Sequence, residues 1–325
     1  MSNLRVGIMI GYYILGAVLL LAVLVLVISY ICFRMAFYVP RKKVVNSEEF
    51  KLPDGEIYKK YENEMIGFIK KVRQLPHEDV EITSFDGLKL RGKYYEYVPN
   101  APIELMFHGY RGNSESDLSG GVLRCFALGR SVLLVDHRAS GRSEGKVISF
   151  GVNESKDCLK WLDFLNNKFE NAKIILSGIS MGASTILMAS GKDLPKNVIG
   201  VIADCGYTSP KEIIKTVIKQ MKLPPNLAYP FVKLGAKIYG KFNLEEDSPI
   251  EAVKRCKVPV IFFHGDVDDY VPYEMSVKNY DACVSRKKLV TVKGAGHGLA
   301  YIVDPDEYLK ELNEFFTPLL SDKEE

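Results

Sequence analysis

The stretch G-I-S-M-G, residues 178–182, decides how the rest of this chain is organised. It matches the G-x-S-x-G pattern, in which a serine lies on a sharp strand-to-helix turn and small neighbours let the backbone expose the hydroxyl. The aliphatic run 172–176 predicts a buried strand before the turn, and 183–190 predicts a small-residue helix after it. Five positions with two free ones also match by chance, so the function of Ser180 depends on what the remaining sequence supplies.

The composition is that of a folded domain. The 325 residues are 47% hydrophobic and 26% charged, which excludes a disordered chain and suits one large α/β domain. A net charge of +3 without a dense basic stripe argues against a nucleic-acid partner. The cysteines lack metal-ligand spacing, and we expect small buried residues, with one or two disulfides as the alternative. They are Cys32, Cys125, Cys158, Cys205, Cys256 and Cys283.

The N-terminal run 6–33 contains no charged residue. At about 1.5 Å per residue, a helix of this length spans a bilayer core of about 30 Å. A cleaved signal peptide is the competing interpretation, but its apolar region should have only about 7–15 residues and end in a small-residue cleavage site. Because this run ends in Y-I-C-F-R, we predict a retained, single-pass membrane anchor within residues 1–40.

The orientation of this anchor is predicted from the charges that flank it. Arg5 precedes the run, whereas Arg34, Arg41, Lys42 and Lys43 follow it. The positive-inside rule then places the C-terminal domain in the cytoplasm, where unpatterned cysteines stay reduced. A long domain can translocate despite such charges, so an extracytoplasmic domain is the alternative.

The body of the chain alternates between strand and helix patterns. Runs 80–85 and 88–98, joined by Asp86-Gly87, predict a hairpin with a two-residue turn. Six later strands are predicted at 103–107, 132–135, 172–176, 198–203, 258–263 and 288–292. Helices are predicted at 58–72, as a solvated surface helix, and at 122–128, 154–166, 183–190, 275–283 and 307–316. This alternation predicts a mainly parallel, doubly wound sheet.

One long interval interrupts the alternation. About 45 residues separate Asp204 from Pro249, where a short connection would suffice, and they contain two helical stretches. We predict a cap inserted at 206–248, over the ends of the strands. Its apolar residues either line a pocket or pack the cap onto the body, and for any single residue the packing role is favoured. They are Ile213, Ile214, Val217, Ile218, Met221, Leu227, Tyr229 and Phe231.

A serine hydroxyl needs a base within hydrogen-bond reach to become a nucleophile. Of the five histidines, His77 lies in a linker-like stretch, and the other four follow predicted strands. Ligands of open α/β sheets bind at the carboxyl edge, where those four histidines would lie. The chain order serine, acid, histidine selects His297, in the glycine-rich loop after the last strand.

The acid that orients this base has several candidates. Asp266, Asp268 and Asp269 all follow the strand at 258–263, and any of them could face His297. Asp204, at the end of the preceding strand, is a more remote candidate. A metal site at His264-x-Asp266-x-Asp268 lacks a second cluster of ligands, so we predict no metal.

Together these segments resemble the α/β-hydrolase family, specifically its single-domain serine hydrolases of the esterase and peptidase type. The resemblance covers about 80–320, so we predict an anchor at 1–40, a juxtamembrane linker and helix at 41–79, and the hydrolase domain at 80–320. The motifs that carry it are His108-Gly109, Asp136-His137-Arg138 with Gly141 and Ser143, the serine turn, His264-Gly265-x-x-Asp268-x-x-Val271-Pro272, and Gly296-His297-Gly298.

The resemblance implies an α/β-hydrolase fold, with an eight-stranded, mainly parallel sheet flanked by helices and a small helical cap. In the family the acid lies three residues before Val-Pro, which corresponds to Asp268. The oxyanion hole corresponds to the backbone N–H groups of Tyr110 and Met181. The chain departs from the family at Ala139, where many relatives have glycine, which makes the local turn less certain.

These observations predict a membrane-anchored serine hydrolase that cleaves carboxylic acyl esters through Ser180, His297 and Asp268. No cofactor is expected, and the predicted partners are a small acyl ester or lipid-like substrate and the membrane. A serine peptidase of the same fold has the same motifs, and a non-catalytic interaction protein is the remaining alternative.

Overall fold

The computed structural model describes residues 2–40, 50, 52–53 and 55–321. Its strands are β1 (Glu78–Thr83), β2 (Lys89–Tyr95), β3 (Ile103–Phe107), β4 (Ser131–Val135), β5 (Ile174–Ile179), β6 (Val198–Asp204), β7 (Val260–Gly265) and β8 (Lys287–Val292). They form one sheet in the order β1-β2-β4-β3-β5-β6-β7-β8. β2 pairs antiparallel with β1 and β4, and the pairs from β4 to β8 are parallel. The predicted eight-stranded, mainly parallel sheet is confirmed.

Helices connect the strands. They are α1 (Ser2–Ala36), α2 (Glu56–Lys59), α3 (Glu62–Arg73), α4 (Ser114–Ala127), α5 (Val152–Lys168), α6 (Met181–Ser190), α7 (Pro210–Gln220), α8 (Pro225–Ile238), α9 (Pro249–Ala252), α10 (Tyr273–Ala282), α11 (Ala300–Val303) and α12 (Pro305–Ser321). The long interval after β6 contains α7 and α8, where the sequence predicts a helical cap. The boundaries 1–40, 41–79, 80–320 and 206–248 stay predictions.

Both faces of the sheet are buried, as alternating residues of β5 show. Ile174 belongs to the apolar cluster that contains Trp161 of α5. Ile175 points the other way and packs with Leu312 and Phe316 of α12. A strand covered on both faces is apolar at every position, which explains the continuous apolar run before the serine turn.

The β1–β2 hairpin differs from its prediction. The backbone N–H of Ser84 donates to the carbonyl of Leu88 at 2.8 Å, which leaves three residues, 85–87, in the turn. Gly87 has φ +92° and Ser84 Oγ accepts the N–H of Leu88 at 2.8 Å. The predicted two-residue turn is therefore wrong, because the Ser84 side chain supplies a hydrogen bond that favours the longer turn.

The segment before the sheet also differs from its prediction. α3 is not a solvated helix, because Met65, Ile69 and Val72 are buried. Val72 packs in one cluster with Leu118 and Val122 of α4. Its charged residues occupy the opposite face, so the composition of the segment hid an amphipathic pattern. Residues 41–49, with three of the cations used to predict orientation, lie outside the described residues.

The first helix has two parts with different surroundings. α1 is long and apolar enough to cross a membrane, a criterion that a signal sequence near the N-terminus also meets. Residues 5–24 are exposed, whereas Phe33 and Phe37 join the apolar cluster that contains Val232 and Ala236 of α8. Gly235 lets the two helices approach, because a Cβ there would lie 2.4 Å from the carbonyl oxygen of Ser29.

Candidate active site

The turn between β5 and α6 holds Ser180 in a strained conformation. Its φ of 57° and ψ of −116° are rare for a residue with a side chain. Both flanking glycines are required by close contacts: a Cβ on Gly178 would lie 2.4 Å from the carbonyl carbon of Gly182, and one on Gly182 would lie 2.1 Å from the oxygen of Phe107. The strain therefore places the Ser180 hydroxyl at the carboxyl edge of the sheet, as the pentapeptide pattern predicts.

His297 lies within hydrogen-bond distance of this hydroxyl. Its Nε2 is 2.9 Å from Ser180 Oγ, and its Nδ1 is 2.7 Å from Asp268 Oδ2. A carboxylate can only accept, so Nδ1 carries the proton and leaves the Nε2 lone pair facing the serine. The structure thus brings together the three side chains that the sequence singled out.

Asp268 is held by a network of donors. Its Oδ1 accepts the backbone N–H groups of Tyr270 and Val271, both at 2.9 Å. Its Oδ2 accepts from His264 Nε2 at 3.1 Å as well as from His297. Burial raises the pKa of Asp268, but the hydrogen bonds from the two histidines outweigh it and hold the pKa well below the usual range. Asp268 is therefore a carboxylate at neutral pH.

His264 is a member of this network that the sequence argument did not assign. Its Nε2 faces two acceptors, Asp268 Oδ2 and the carbonyl of Val271 at 3.0 Å, so that nitrogen carries the proton. Its Nδ1 lies 2.6 Å from Ser276 Oγ and can accept from it. The four-residue spacing from Asp268, across the turn after β7, was the available signal.

The other candidate acids lie elsewhere. Asp266 is exposed and accepts the backbone N–H of Gly294 at 2.6 Å. Asp269 is exposed. Asp204 is buried at the end of β6, where its carbonyl accepts the N–H of Ser180 at 2.8 Å. Among these acids, Asp268 is the one that hydrogen-bonds to the His297 ring in the described part of the chain.

Two further histidines form a buried pair. His108 Nε2 accepts the backbone N–H of His137 at 3.0 Å, and the His137 ring lies 3.2 Å from the carbonyl of His108. Burial, with the charge of His108 as a smaller cause, holds the pKa of His137 well below its usual value. These rings brace the ends of β3 and β4. The nearby Ala139 has φ 62°, so it adopts the left-handed conformation that glycine tolerates more easily.

The loop after β3 lies against the serine. A Cβ on Gly109 would be 3.7 Å from Ser180 Cβ, which places the next residue, Tyr110, beside the site. Met181 is the first residue of α6, where a backbone N–H has no partner within the helix. Both predicted oxyanion groups are therefore close to Ser180, and their catalytic role stays a prediction.

A buried charged cluster also reaches the site. Arg124 forms an ion pair with Glu104 of β3, and its Nη1 donates to Tyr308 Oη at 3.3 Å. Tyr308 Oη donates to Asp204 Oδ2 at 3.1 Å, while Asp204 Oδ1 has no hydrogen-bond partner among the described residues. Burial raises the pKa of Asp204 to about 6, although the hydrogen bond from Tyr308 lowers it somewhat.

One group of side chains among the described residues is close enough together to bind a metal ion. Donor atoms of Cys205, Asp268 and His297 lie within 4.8 Å of one another. Burial raises the pKa of the Cys205 thiol well above its usual value, so the thiolate that a metal requires is disfavoured. The His297 and Asp268 atoms in this group are those that hydrogen-bond to each other, which favours proton transfer to and from Ser180 as their use.

A cavity of about 570 Å³ opens at Ser180 and His297. This volume is typical of small-molecule sites. Five of the apolar cap residues that the sequence singled out line it: Ile213, Ile214, Val217, Ile218 and Met221. Tyr229 is instead buried in the cluster that packs α8 onto the body, and Leu227 is exposed. Both roles weighed for the cap therefore occur, and Ile213, Ile214 and Ile218 have both, since they line the cavity and belong to the packing cluster.

Comparisons with known proteins agree with this architecture. A family model described as the alpha/beta hydrolase fold matches residues 105–238. YqkD of Bacillus subtilis (strain 168) is 27% identical over 268 residues, which cover 82% of this chain and 87% of YqkD. Protein bem46 of Schizosaccharomyces pombe is 25% identical over 219 residues, covering 66% of this chain and 68% of bem46. The solved structure of the Pyrococcus furiosus esterase Pf2001 in space group P21 has a TM-score of 0.61 at 25% identity, covering 77% of this chain and 94% of the esterase.

The chain has the alpha/beta hydrolase fold, as the sheet, the strained serine turn and these matches together indicate. The similarity to an esterase structure supports a hydrolase at this level of description. The resemblance stated from the motifs is confirmed for the fold.

Proposed function

We propose that the protein hydrolyses carboxylic acyl esters through a covalent acyl-enzyme on Ser180. The observation that carries this proposal is the continuous chain of hydrogen bonds from Asp268 through His297 to Ser180, at 2.7 and 2.9 Å, opening onto a mostly apolar cavity. A hydroxyl, a neutral imidazole with its lone pair towards it and an ionised orienting carboxylate are the requirements for nucleophilic acyl transfer.

The reaction proceeds in two transfers. His297 Nε2 takes the proton of Ser180 as Oγ attacks the ester carbonyl, and then gives that proton to the departing alcohol oxygen as the carbon–oxygen bond breaks. Water next attacks the acyl-enzyme, His297 takes one of its protons, and the proton returns to Ser180 Oγ as the acid leaves. Asp268 remains ionised and stabilises the imidazolium in both transfers.

The negative charge on the carbonyl oxygen needs donors fixed in advance. We assign this role to the backbone N–H groups of Tyr110 and Met181, one from the loop beside Ser180 and one from the start of α6. The α6 N-terminus adds the positive end of its dipole to the same position.

We also propose that α1 is a retained membrane anchor, with the catalytic domain on the cytoplasmic side. Phe33 is 5% exposed and belongs to the apolar cluster that contains Val232 and Ala236 of α8, so cleavage of α1 as a signal peptide directly after Phe33 would alter the folded domain. The cations after the apolar run favour the cytoplasmic side.

The test compares Ser180→Ala with Ser190→Ala, a buried serine at the far end of α6 whose hydroxyl donates to the carbonyl of Leu187 at 2.7 Å. We expect wild type and Ser190→Ala to hydrolyse p-nitrophenyl esters and to react with a fluorophosphonate probe, and Ser180→Ala to do neither. Hydrolysis by Ser180→Ala at the wild-type rate would refute the mechanism. Cleavage of peptides but not esters by the wild type would instead indicate a peptidase. Permeant and impermeant probes applied to intact cells report which side of the membrane the domain occupies.

A further inference from the structure

The end of α1 is bonded to the loop that carries the proposed oxyanion donor. Tyr110 Oη donates to the carbonyl of Ala36 at 2.7 Å, and Arg111 Nη2 donates to the carbonyl of Met35 at 2.7 Å. These carbonyls belong to the last turn of the helix, where no backbone N–H of the same helix is available to donate to them. The catalytic loop therefore caps the C-terminus of α1 and fixes its position relative to Ser180.

The same turn of α1 forms part of the cavity wall. Cys32, Met35 and Ala36 line the cavity that contains Ser180 and His297. α7 and α8 complete this wall with aliphatic residues, and Gly235 lets α8 lie directly against α1. The helix that contains the apolar N-terminal run thus ends at the wall of the cavity that holds Ser180.

The lining of the cavity falls into two groups of different chemistry. The group from α1, α7 and α8 is apolar throughout: Cys32, Met35, Ala36, Ile213, Ile214, Val217, Ile218, Ala228 and Val232. The other group includes Arg124, Ser177, Asp204 and Tyr308, whose buried charges and hydroxyls form the cluster described above. An unbranched hydrocarbon chain matches the first group. Against the second group, the same chain would bury polar atoms without offering them hydrogen bonds.

Part of the rim of the cavity is apolar as well. Val217, Met221 and Leu223 line the cavity and are also exposed, and so is Met35 on α1. On this side of the cavity, a hydrocarbon chain that moves along α1 meets apolar side chains on its way to Ser180, which keeps its methylene groups largely out of water.

We infer that the wall formed by α1, α7 and α8 is the acyl-chain site, and that the substrates are long-chain fatty acyl esters whose chain lies against Cys32 and Ala36. This inference rests on the proposed ester hydrolysis and adds the substrate class. Each methylene buried on this wall in the transition state raises kcat/KM by about fourfold, until the wall is filled. The anchor helix is then a specificity-determining part of the enzyme.

The first test measures kcat/KM for p-nitrophenyl acetate, octanoate and palmitate with the full chain in detergent micelles. Ala36→Trp fills the wall, whereas Ile31→Trp adds the same side chain at a position that is 51% exposed and does not line the cavity. We expect wild type and Ile31→Trp to favour the long esters by at least about tenfold, and Ala36→Trp to lose this preference, measured as the ratio of the palmitate to the acetate kcat/KM within each protein. An unchanged preference in Ala36→Trp would overturn the inference.

The second test uses the wild-type chain, so it does not depend on a substitution that folds. Cys32 is half-buried, while the five other cysteines are at most 3% exposed, so a maleimide should label Cys32 first. A hexadecyl phosphonate on Ser180 should slow this labelling at least about fivefold, and a methyl phosphonate should not. If neither phosphonate reacts, the proposed function fails. If both react and the hexadecyl compound gives no protection, only the acyl-chain site is wrong.

Discussion

The carboxyl edge of the sheet and the helical wall that covers it are built by different physics. At the edge, Ser180, His297 and Asp268 are held by hydrogen bonds between 2.7 and 3.1 Å and by a strained backbone. The wall of α1, α7 and α8 is held mainly by apolar contacts between helices, with two side-chain hydrogen bonds at the end of α1. The proposed chemistry therefore depends on directional bonds, and the proposed selection of the acyl chain depends on non-directional packing, so the two can be altered separately.

The largest effect should come from the carboxylate at the edge. Asp268→Asn removes the charge that stabilises the imidazolium and lets the His297 ring adopt the wrong tautomer, so we expect kcat to fall on the order of 10³–10⁴-fold. The relative rates for short and long esters should not change, because the wall is intact. The measurement is kcat for acetate and palmitate esters in wild type and variant.

Asp266→Asn is the matched control for this prediction. Asp266 follows the same strand, is exposed, and bonds to the backbone of Gly294 rather than to His297. We expect its kcat to stay within about threefold of wild type. Equal losses in the two variants would show that Asp268 is not the orienting acid.

A pair of glycines compares the two regions under the same substitution. Gly178→Ala places a Cβ 2.4 Å from backbone atoms of the serine turn, and Gly235→Ala places one 2.4 Å from the carbonyl of Ser29 in α1. The first should cost about 3 kcal/mol or more and abolish hydrolysis, because the strained turn cannot shift. The second should cost about 1–2 kcal/mol, because a helix packed by apolar contacts can move aside.

Thermal unfolding and the ester series separate these two outcomes. Gly235→Ala should keep acetate hydrolysis and weaken the preference for long chains, since α1 moves away from the wall. If Gly235→Ala lost acetate hydrolysis as fully as Gly178→Ala does, the two regions would not be separable.

The last prediction concerns Asp204, which belongs to the buried charged cluster beside the site. Its pKa rises from 3.8 to about 6 on folding because the carboxyl is buried. The folded chain therefore holds a proton that the unfolded chain releases, and stability falls as pH rises from about 4 to 6. Relative to Asp204→Asn, wild type should lose about 2–3 kcal/mol of unfolding free energy between pH 4 and 7. Denaturant unfolding at several pH values checks this, and parallel curves for the two proteins would contradict it.

More of the candidate active site than of the helical wall could be predicted from the sequence. Ser180, His297 and the aspartates after β7 each follow a strand, and parallel strands bring their carboxyl ends to one edge, so sequence order alone brought the candidates together. The choice of Asp268 came from the family pattern, because spacing could not distinguish it from Asp266. His264 was missed, because a side chain that braces an acid leaves no separate motif.

The fold was predicted where local patterns and tertiary packing agree. The strands of the sheet follow from apolar runs, but the role of α1 does not, since a lipid-facing helix and a helix that packs on a cap have the same composition. Glu104 lies in the middle of the buried strand β3, where only the distant Arg124 and Arg130 make its charge tolerable. Contacts of this kind join residues that no local window contains.

The contact between α1 and α8 also sets an order of assembly. Tyr239 Oη donates to the carbonyl of Leu26 at 3.1 Å, across 213 positions of the chain. A ribosome adds about 5–20 residues per second, so α1 waits roughly 10–40 s for its partner helix to be synthesised. During that interval Phe33 and Phe37 have no core to enter, and a bilayer or a chaperone is the available cover. Biogenesis of this protein therefore depends on keeping the apolar side chains of its first helix from packing elsewhere until α8 has been synthesised.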